Sequence, residues 1–378
     1  MSIIIGADLV PVESNVDLFE KADLNELLGE GLQVVLNSSD YRIFNLEVPL
    51  TNNKTPISKH GPNLIAPTAC VNGLIAMRID ALAMANNHVM DQDSQGLIST
   101  IETLDSAGIS HVGAGTNIEN AQKPLYFICH GRRYCIFACA EHEFSIANKN
   151  RPGANPFDPL DTPDQIEQIR KQCDYLIVLY HGGKEHYRYP SPCLQKTCRK
   201  MVEKGADLVV CQHSHCIGCK EEYLKGTIVY GQGNFLFDHA NNEFWNTGLL
   251  ISIENSGKIN YLPLEKKGRS VRLAEGKAAI TILDSFNKRS EFIKNESFVE
   301  ESYRSYASEC VDSYLMYFMG KRSSLLFRVI NKLSGYRIQK YVSAQYKKKM
   351  GLAVRNYMEC EAHRELILAN LKDVEGYI

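Results

Sequence analysis

Residues 81–91 have the sequence ALAMANNHVMD, in which five apolar residues of strand length lead directly into Asn86, Asn87 and His88, with Asp91 close behind. Helical spacing follows at once and is closed by a glycine. This order of strand, polar cluster and helix is typical of α/β proteins, whose loops at the carboxyl ends of strands carry polar side chains. One such cluster is more often a helix cap or a turn than a site, so its meaning depends on the rest of the chain.

The same alternation continues along residues 1–240. Apolar runs of strand length lie at Ile3–Ile5, Tyr41–Leu46, Ala81–Ala85, Tyr134–Ala138, Tyr175–Leu179, Leu208–Val210 and Thr227–Tyr230. Helical spacing lies at Ser94–Ala107, Pro163–Gln172 and Pro192–Lys204. A β-hairpin is indicated at Leu249–Glu254 and Lys258–Leu264. The pattern predicts an α/β sheet protein with helices on both faces.

The composition is that of a globular protein. Hydrophobic residues make up 44% of the 378 residues and charged residues 23%, which excludes disordered, collagen-like and coiled-coil chains. The strand pattern stops after Ser285, and long stretches of mixed polar and apolar residues follow. We therefore predict an α/β domain at residues 1–284 and a basic helical appendage at residues 285–378.

The formal net charge of −2 hides an asymmetry. The stretch Ser313–Arg355 contains ten basic residues and no acidic residue, with apolar residues among them. Such a stretch is typical of a surface that contacts anionic lipid or an anionic polymer, or of a helical lid that packs on the α/β domain; we favour the lid. No groove-reading motif accompanies the charge, so we expect no nucleic-acid partner.

The location is predicted from what the sequence does not contain. There is no leader-like segment at the start and no window of ~18 consecutive apolar residues. The twelve cysteines are scattered, which indicates reduced thiols rather than a disulfide framework. We expect a cytoplasmic protein, with peripheral contact at the inner membrane face through residues 313–355 as the further option.

Polar residues follow six of the predicted strands. They are Asp8, Glu47, Asn86 to His88 with Asp91, His181, His213 with His215, and Asn234. Because the carboxyl ends of parallel strands meet at one edge of a sheet, we expect these side chains to converge. Carboxylate, amide and imidazole donors suit borderline divalent cations. Together the clusters predict a two-metal hydrolytic site.

The residues at these strand ends carry a family resemblance. The motifs are GAD at 6–8, NLEVPLT at 45–51, ANNHVMD at 85–91, HGGKEH at 181–186, QHSH at 212–215 and YGQGNF at 230–235. In this order they resemble the bacterial capsule synthesis family CapA, also called the poly-γ-glutamate synthesis family, which is similar to the calcineurin-like metallophosphoesterases. The resemblance covers residues 1–250. It implies a four-layer α/β/β/α sandwich, here with a helical C-terminal appendage.

The resemblance also implies two divalent cations, Mn, Zn or Fe. The implied ligands are Asp8 and His215 for the first cation, Asn87, His181 and His213 for the second, and Glu47 as the bridge between them. One position departs from the superfamily pattern, because Val10 stands where a histidine is usual. A site with one metal therefore stays open, since three protein ligands are enough for a catalytic cation.

Other roles follow from the same resemblance. His88 would face the substrate as proton donor, oriented by Asp91, because an imidazole held by a carboxylate has a fixed tautomer. Near the substrate we also expect Asn86, Glu185, His186 and Asn234. His142 is a weaker candidate for a group close to the metals.

Two functions are consistent with the sequence. The first is a CapA-like metal-dependent hydrolase acting on a phosphoester or on a linkage in a capsule polymer of the poly-γ-glutamate type. The alternative is a non-catalytic accessory that binds the polymer or a synthase. The expected partners are an anionic polymer or phosphoester substrate and other capsule-synthesis proteins.

Overall fold

The computed structural model describes residues 2–238, 242–321 and 324–373. The strands are β1 Ser2–Val10, β2 Tyr41–Leu46, β3 Ala81–Ala83, β4 Ser110–Val112, β5 Ala114–Gly115, β6 Leu125–Cys129, β7 Arg132–Ala140, β8 Gly153–Ala154, β9 Tyr175–His181, β10 Leu208–Gln212, β11 Ile217–Tyr223, β12 Gly226–Gln232, β13 Asn234–Phe237, β14 Thr247–Glu254, β15 Ile259–Lys267 and β16 Ser270–Leu273.

Helices lie between the strands and after the last of them. They are α1 Val16–Glu20, α2 Leu24–Leu27, α3 Gly29–Ser38, α4 Val71–Ala76, α5 Asp93–Ser106, α6 Ile118–Ala121, α7 Thr162–Arg170, α8 Pro192–Glu203, α9 Gly276–Phe292, α10 Glu296–Phe318, α11 Leu325–Leu333, α12 Arg337–Glu359 and α13 Glu361–Asp373, with a 3₁₀ turn at Thr68–Cys70.

Two sheets form the centre of the first compact unit. One has the strand order β16-β15-β14-β1-β2-β3-β4, with β13 also paired to β1. The other has the order β11-β12-β10-β9-β7-β6. Strands β1 to β4 run parallel to one another in the first sheet, and β7, β9, β10 and β12 run parallel to one another in the second. Each sheet therefore has several strands that end at the same edge.

The second sheet has a different core on each face. In β9, Ile177 and Leu179 belong to the core that includes the first sheet, whereas Leu176 and Val178 pack in a second core with Met201 of α8. Alternate residues of a strand point to opposite faces, so this pattern places one sheet on the other and a helix layer outside.

The first sheet also has a helical layer. Phe19 of α1, Leu32 of α3, Leu74 of α4 and Leu97 of α5 belong to the same core as its strands. The predicted four-layer α/β/β/α sandwich is confirmed.

Most predicted elements are present with ends moved by a few residues. The limits of β2 are those predicted, and α8 begins at Pro192 after Ser191, whose side chain accepts from the backbone N–H of Leu194. β1 is longer than the run Ile3–Ile5, because the chain stays extended beyond it, with a shift of register between Ile5 and Asp8. β4, β5, β6, β8, β11, β13 and β16 were not predicted.

The chain divides into two compact units, Met1–Val299 and Glu300–Ile378. The predicted boundary at residues 284 and 285 lies inside α9, and the first unit continues beyond it. The second unit is helical, as predicted for the appendage. Within it, Ser343 and Lys347 of α12 bond Asp312 of α10 at 2.5 and 2.7 Å.

Two further findings concern the cysteines and the helices. All twelve cysteines are free thiols, as the sequence indicated. Within the described ranges, no helix is both long enough and apolar enough to cross a bilayer.

Candidate metal centre

The register of the parallel strands brings the predicted residues together. Asp8 of β1 is the partner of Asn45 in β2 and of Asn234 in β13. In the other sheet, His181 at the end of β9 is the partner of Gln212, the last residue of β10. Both sheets therefore deliver polar side chains to one edge of the sandwich.

Glu47 lies between contributions from the two sheets. It follows β2 directly and is fully buried. Within the described part of the chain, neither of its carboxylate oxygens has a hydrogen-bond partner, although Oε1 lies 3.3 Å from His181 Nε2. Burial and the charge of Asp8 raise the pKa of Glu47 to about 8. A buried carboxylate with unpaired oxygens is costly unless something else binds it.

Two groups of metal-type donors share this carboxylate. Glu47 groups with His181 and His213 on one side and with Asp8 and His215 on the other. In each group, one ligand atom from every residue lies within 4.8 Å of the others. Mixed carboxylate and imidazole donors are those that Zn, Mn and Fe prefer, and a bound cation would satisfy the unpaired oxygens of Glu47. The residues present therefore fit divalent cations.

Asp8 and His215 form one side of the centre. Asp8 Oδ2 lies 3.5 Å from His215 Nδ1, and Asp8 Oδ1 accepts a hydrogen bond from Asn45 at 2.8 Å. Burial opposes ionisation of Asp8, but the hydrogen bond and charge of His215 lower its pKa. For His215, burial is outweighed by Glu47 and Asp8, which raise its pKa to about 9.

His181, His213 and Asn87 form the other side. His181 Nε2 lies 3.0 Å from Asn87 Oδ1 and 3.1 Å from His213 Nδ1. Burial lowers the pKa of His181 to about 4 and lowers that of His213 well below its usual value. Both imidazoles are therefore neutral near pH 7, which is the form that binds a cation.

The loop after β10 is held in an uncommon backbone conformation. His213 has φ of 87° and His215 has φ of 51°, values that side chains other than glycine rarely adopt. His215 Nδ1, the atom that faces Asp8, also lies 2.9 Å from Asn234 Oδ1, and the ring of Trp245 stacks on the imidazole at 4.6 Å. Strain of this kind persists only where surrounding contacts enforce it, and it gathers at functional sites.

His88 and Asp91 lie next to this centre. His88 Nδ1 is 2.6 Å from Asp91 Oδ2, which also accepts from the backbone N–H of Leu64 at 2.6 Å. Asp91 Oδ1 forms an ion pair with Lys59, and the side chain of Lys59 is 3% exposed. Lys59 Nζ lies 3.3 Å from His88 Nδ1. The imidazole is thus fixed through Nδ1, and Nε2 takes no part in these contacts.

The four residues expected near the substrate lie around the same edge. Asn86 is fully buried, donates to the backbone oxygen of Leu46 at 2.8 Å and accepts from the N–H of His88 at 3.2 Å. These bonds make Asn86 a residue that shapes the loop.

Asn234, Glu185 and His186 complete that set. Asn234 Nδ2 is buried and has no hydrogen-bond partner among the described residues. Burial opposes ionisation of Glu185, but the charges of His213 and His215 lower its pKa. The backbone N–H of His186 donates to the backbone oxygen of Ser214 at 2.8 Å. The ring centre of His186 lies 6.4 Å from that of His215.

Trp245 and three polar or charged residues at the site were not predicted. Asn45 and Lys59 make the contacts described above, and Glu143 accepts from Asn87 Nδ2 at 3.4 Å and lies 3.8 Å from His213 Nε2. His142, the weaker candidate, is exposed, and the adjacent Glu143 approaches the centre instead. Asn45 could have been found in the motif at the end of β2, whereas Lys59 lies in a loop without any repeating pattern.

Part of this chain is similar in sequence to known proteins. The profile of the family described as bacterial capsule synthesis protein PGA_cap matches residues 6–239. The capsule biosynthesis protein CapA of Bacillus anthracis is 32% identical over 214 residues, which are 54% of this chain and 52% of that protein. The PGA biosynthesis protein CapA of Bacillus subtilis is 28% identical over 241 residues, 62% of this chain and 63% of that one.

Among solved structures, a phosphatase of Mycoplasma pneumoniae aligns at 15% identity and a TM-score of 0.42, over 70% of this chain and 94% of the other. The chain spans between half and two thirds of the length of the two curated relatives, the CapA proteins of Bacillus anthracis and Bacillus subtilis.

Proposed function

Since the chain belongs to the bacterial capsule synthesis protein family PGA_cap, we propose that it is a metal-dependent hydrolase in the synthesis of a capsule polymer of the poly-γ-glutamate type. Its reaction would be the cleavage of a phosphoester or of a linkage in the polymer. The observation that carries this proposal is Glu47, a buried carboxylate that has no hydrogen-bond partner among the described residues and is shared by two groups of metal-type donors.

The donor set suggests how the site would be loaded. Asp8, Glu47 and His215 would hold one divalent cation, and Glu47, His181 and His213 with Asn87 would hold the other. Cations held there supply a Lewis acid that polarises a phosphoryl or acyl oxygen and offsets the charge that develops on it.

The neighbouring residues would handle the proton. Asp91 and Lys59 hold His88 through Nδ1, so Nε2 can carry a proton toward a leaving oxygen. Asp91 fixes the tautomer and the orientation of the ring. The arrangement supports protonation of the leaving group by His88.

The partners are proposed from the same reasoning. A centre built for divalent cations suits substrates with phosphoryl or carboxylate oxygens, such as a phosphoester or an anionic capsule polymer. Other capsule-synthesis proteins are proposed partners of the whole protein.

The test combines metal analysis with hydrolysis assays. The purified chain, loaded in turn with Mn²⁺, Zn²⁺ and Fe²⁺, is assayed on aryl phosphomonoesters, phosphodiesters and γ-glutamyl amides. We expect about two metals per chain and metal-dependent hydrolysis that is lost in Asn87→Ala. Tight metal binding without turnover on any of these substrates would refute catalysis.

A non-catalytic accessory role is the second candidate, and one observation favours it. Val10 of β1 stands at the position of the usual histidine and is buried in the hydrophobic core. Among the described residues, the donor group of Asp8, Glu47 and His215 therefore has three side chains. Under this alternative the centre would stabilise the fold and the chain would bind polymer or a synthase. Asn87→Ala would then leave polymer production in cells unchanged. If the chain is a hydrolase, the same substitution would abolish polymer production.

A further inference from the structure

The second compact unit presents an apolar helix face that the proposed function does not use. In α11, five side chains lie on one side of the helix, since they recur at one-, three- and four-residue steps. They are Leu325, Leu326, Val329, Ile330 and Leu333, with exposed fractions of 67%, 69%, 50%, 43% and 82%. We propose that this face of α11 docks on an anionic phospholipid bilayer, with the helix lying in the plane of the membrane surface.

The opposite side of α11 is attached within its own unit. Asn331 is buried, and its Nδ2 donates to Gln339 Oε1 at 3.0 Å, while the N–H of Gln339 donates to Asn331 Oδ1 at 2.9 Å. This reciprocal pair joins α11 to α12. Because one side is fixed by the pair, the apolar side is directed outward.

The charge around this face selects the partner. Arg328 and Lys332 lie on α11 beside the apolar face, within the stretch Ser313–Arg355 of ten basic residues and no acidic one. Of these ten, Arg322 lies outside the described residues. Apolar side chains flanked by cations are the pattern of a helix at the interface of a bilayer with anionic headgroups.

Two other occupants fit the face less well. A hydrophilic polyanion such as polyglutamate would complement the charge but would leave the five apolar side chains in water. A second copy of the chain would bury those side chains but would bring two strongly basic surfaces together. A bilayer satisfies both features at once.

The length of the helix sets its orientation. Nine residues of α-helix extend about 13 Å, less than half of the hydrocarbon thickness of a bilayer. α11 can therefore enter the interface only along its side, to the depth of its apolar side chains.

The test is flotation of the full chain with vesicles. We compare vesicles of phosphatidylcholine alone with equimolar phosphatidylcholine and phosphatidylglycerol, at low and high salt. We expect flotation with the anionic vesicles, weakened by salt because the cations are screened. A chain that stays at the bottom of the gradient with anionic vesicles, or that floats equally with neutral ones, overturns the proposal.

Variants distinguish binding through the apolar face of α11 from nonspecific adsorption of exposed apolar side chains. Leu326→Glu with Ile330→Glu should reduce the bound fraction by about tenfold or more. The matched control is Leu160→Glu with Leu224→Glu, two leucines of the first unit with exposed fractions of 81% and 75%, which should float like the wild type. Arg328→Gln with Lys332→Gln keeps the apolar face and should weaken binding to anionic vesicles only. Equal flotation of all variants contradicts the assignment to α11.

Two further readouts identify the other occupants. If soluble polyglutamate binds α11 and abolishes flotation, the proposal of a bilayer is overturned in favour of the polymer. If the chain forms a dimer that is lost only in the Leu326→Glu, Ile330→Glu variant, the proposal is overturned in favour of self-association. Asn87→Ala should float like the wild type. Because flotation and hydrolysis are measured separately, loss of either one does not decide the other.

Discussion

Asn45 and Asp8 are partners across the parallel strands β1 and β2, and Asn45 Nδ2 donates to Asp8 Oδ1 at 2.8 Å. The same nitrogen lies 3.4 Å from His181 Nδ1, in the second sheet. Asn45 Oδ1 accepts from Asn86 Nδ2 at 3.2 Å. One buried amide thus positions groups from both sheets at the centre.

Removal of that amide should weaken the fold and the metal site together. Asn45→Ala leaves Asp8 Oδ1 without this donor in a fully buried position, and we expect a loss of about 1–3 kcal/mol in the free energy of unfolding. Urea denaturation measures this, with metal content followed in parallel. Asn53→Ala, at an exposed asparagine, is the control and should change stability by about 0.5 kcal/mol at most. Equal effects of the two variants would argue against the role given to Asn45.

Metal binding should release protons near neutral pH. In the metal-free protein Glu47 has a pKa of about 8 and His215 of about 9, so both carry protons at pH 7 and must lose them to bind a cation. Calorimetric titration with Zn²⁺ in buffers of different ionisation enthalpy measures the number released. We expect more than one proton at pH 7 and fewer as the pH rises through 9.

Glu47→Gln is the matched variant for this measurement, since it keeps the shape of the side chain but has no proton to lose. It should release about one proton fewer, along with weaker binding. Proton release that is independent of pH and unchanged in Glu47→Gln would show that Glu47 is not bound by the metal.

Lys59 should contribute to stability as half of a buried ion pair. Lys59→Met leaves Asp91 fully buried, with His88 and the N–H of Leu64 as its remaining side-chain partners among the described residues. We expect a loss of about 3 kcal/mol, the lower part of the range for breaking a buried pair. Lys54→Met, an exposed lysine in the same loop, should be nearly neutral in the same thermal and urea unfolding experiments. If Lys59→Met has the same free energy of unfolding as the wild type, the loop does not hold Lys59 against Asp91.

Substitutions of His88 and Asn87, the proposed proton donor and the proposed metal ligand, should have different effects. His88→Asn should keep its metal and lose about 100-fold or more in turnover of an aryl phosphoester, because a positioned acid contributes about that much. Asn87→Ala should instead lose metal from the site beside His181 and His213. Elemental analysis and steady-state kinetics on the same preparations distinguish the two. Full turnover in His88→Asn would remove it from the mechanism.

Much of the fold was predictable because the apolar periodicity of the chain is regular. The run Tyr41–Leu46 is β2 without change, and the polar residues at the ends of β1, β2, β9 and β10 converge as the rule for parallel strands requires. β4, with only three residues of which Ser110 is exposed, has no alternation long enough to recognise.

The parts of the site that were missed depend on tertiary contacts. Lys59 lies in a loop with no helix or strand pattern, so only the folded chain brings it to Asp91. Between His142 and Glu143, the turn after β7 decides which side chain is directed to His213, and neighbouring residues in a turn cannot be ranked from sequence. The assigned roles of individual ligands remain predictions from the resemblance.

The position of β1 has a consequence for synthesis on the ribosome. β1 lies in the middle of its sheet, where Ser2 pairs with Glu254 and Asp8 with Asn234, so it is synthesised well before two of the strands with which it pairs. In the nascent chain this apolar segment must therefore stay without those partners until most of the first unit has been translated. Interrupted translation products would expose that segment to chaperones, and the centre around Asp8 would assemble among the last events of folding.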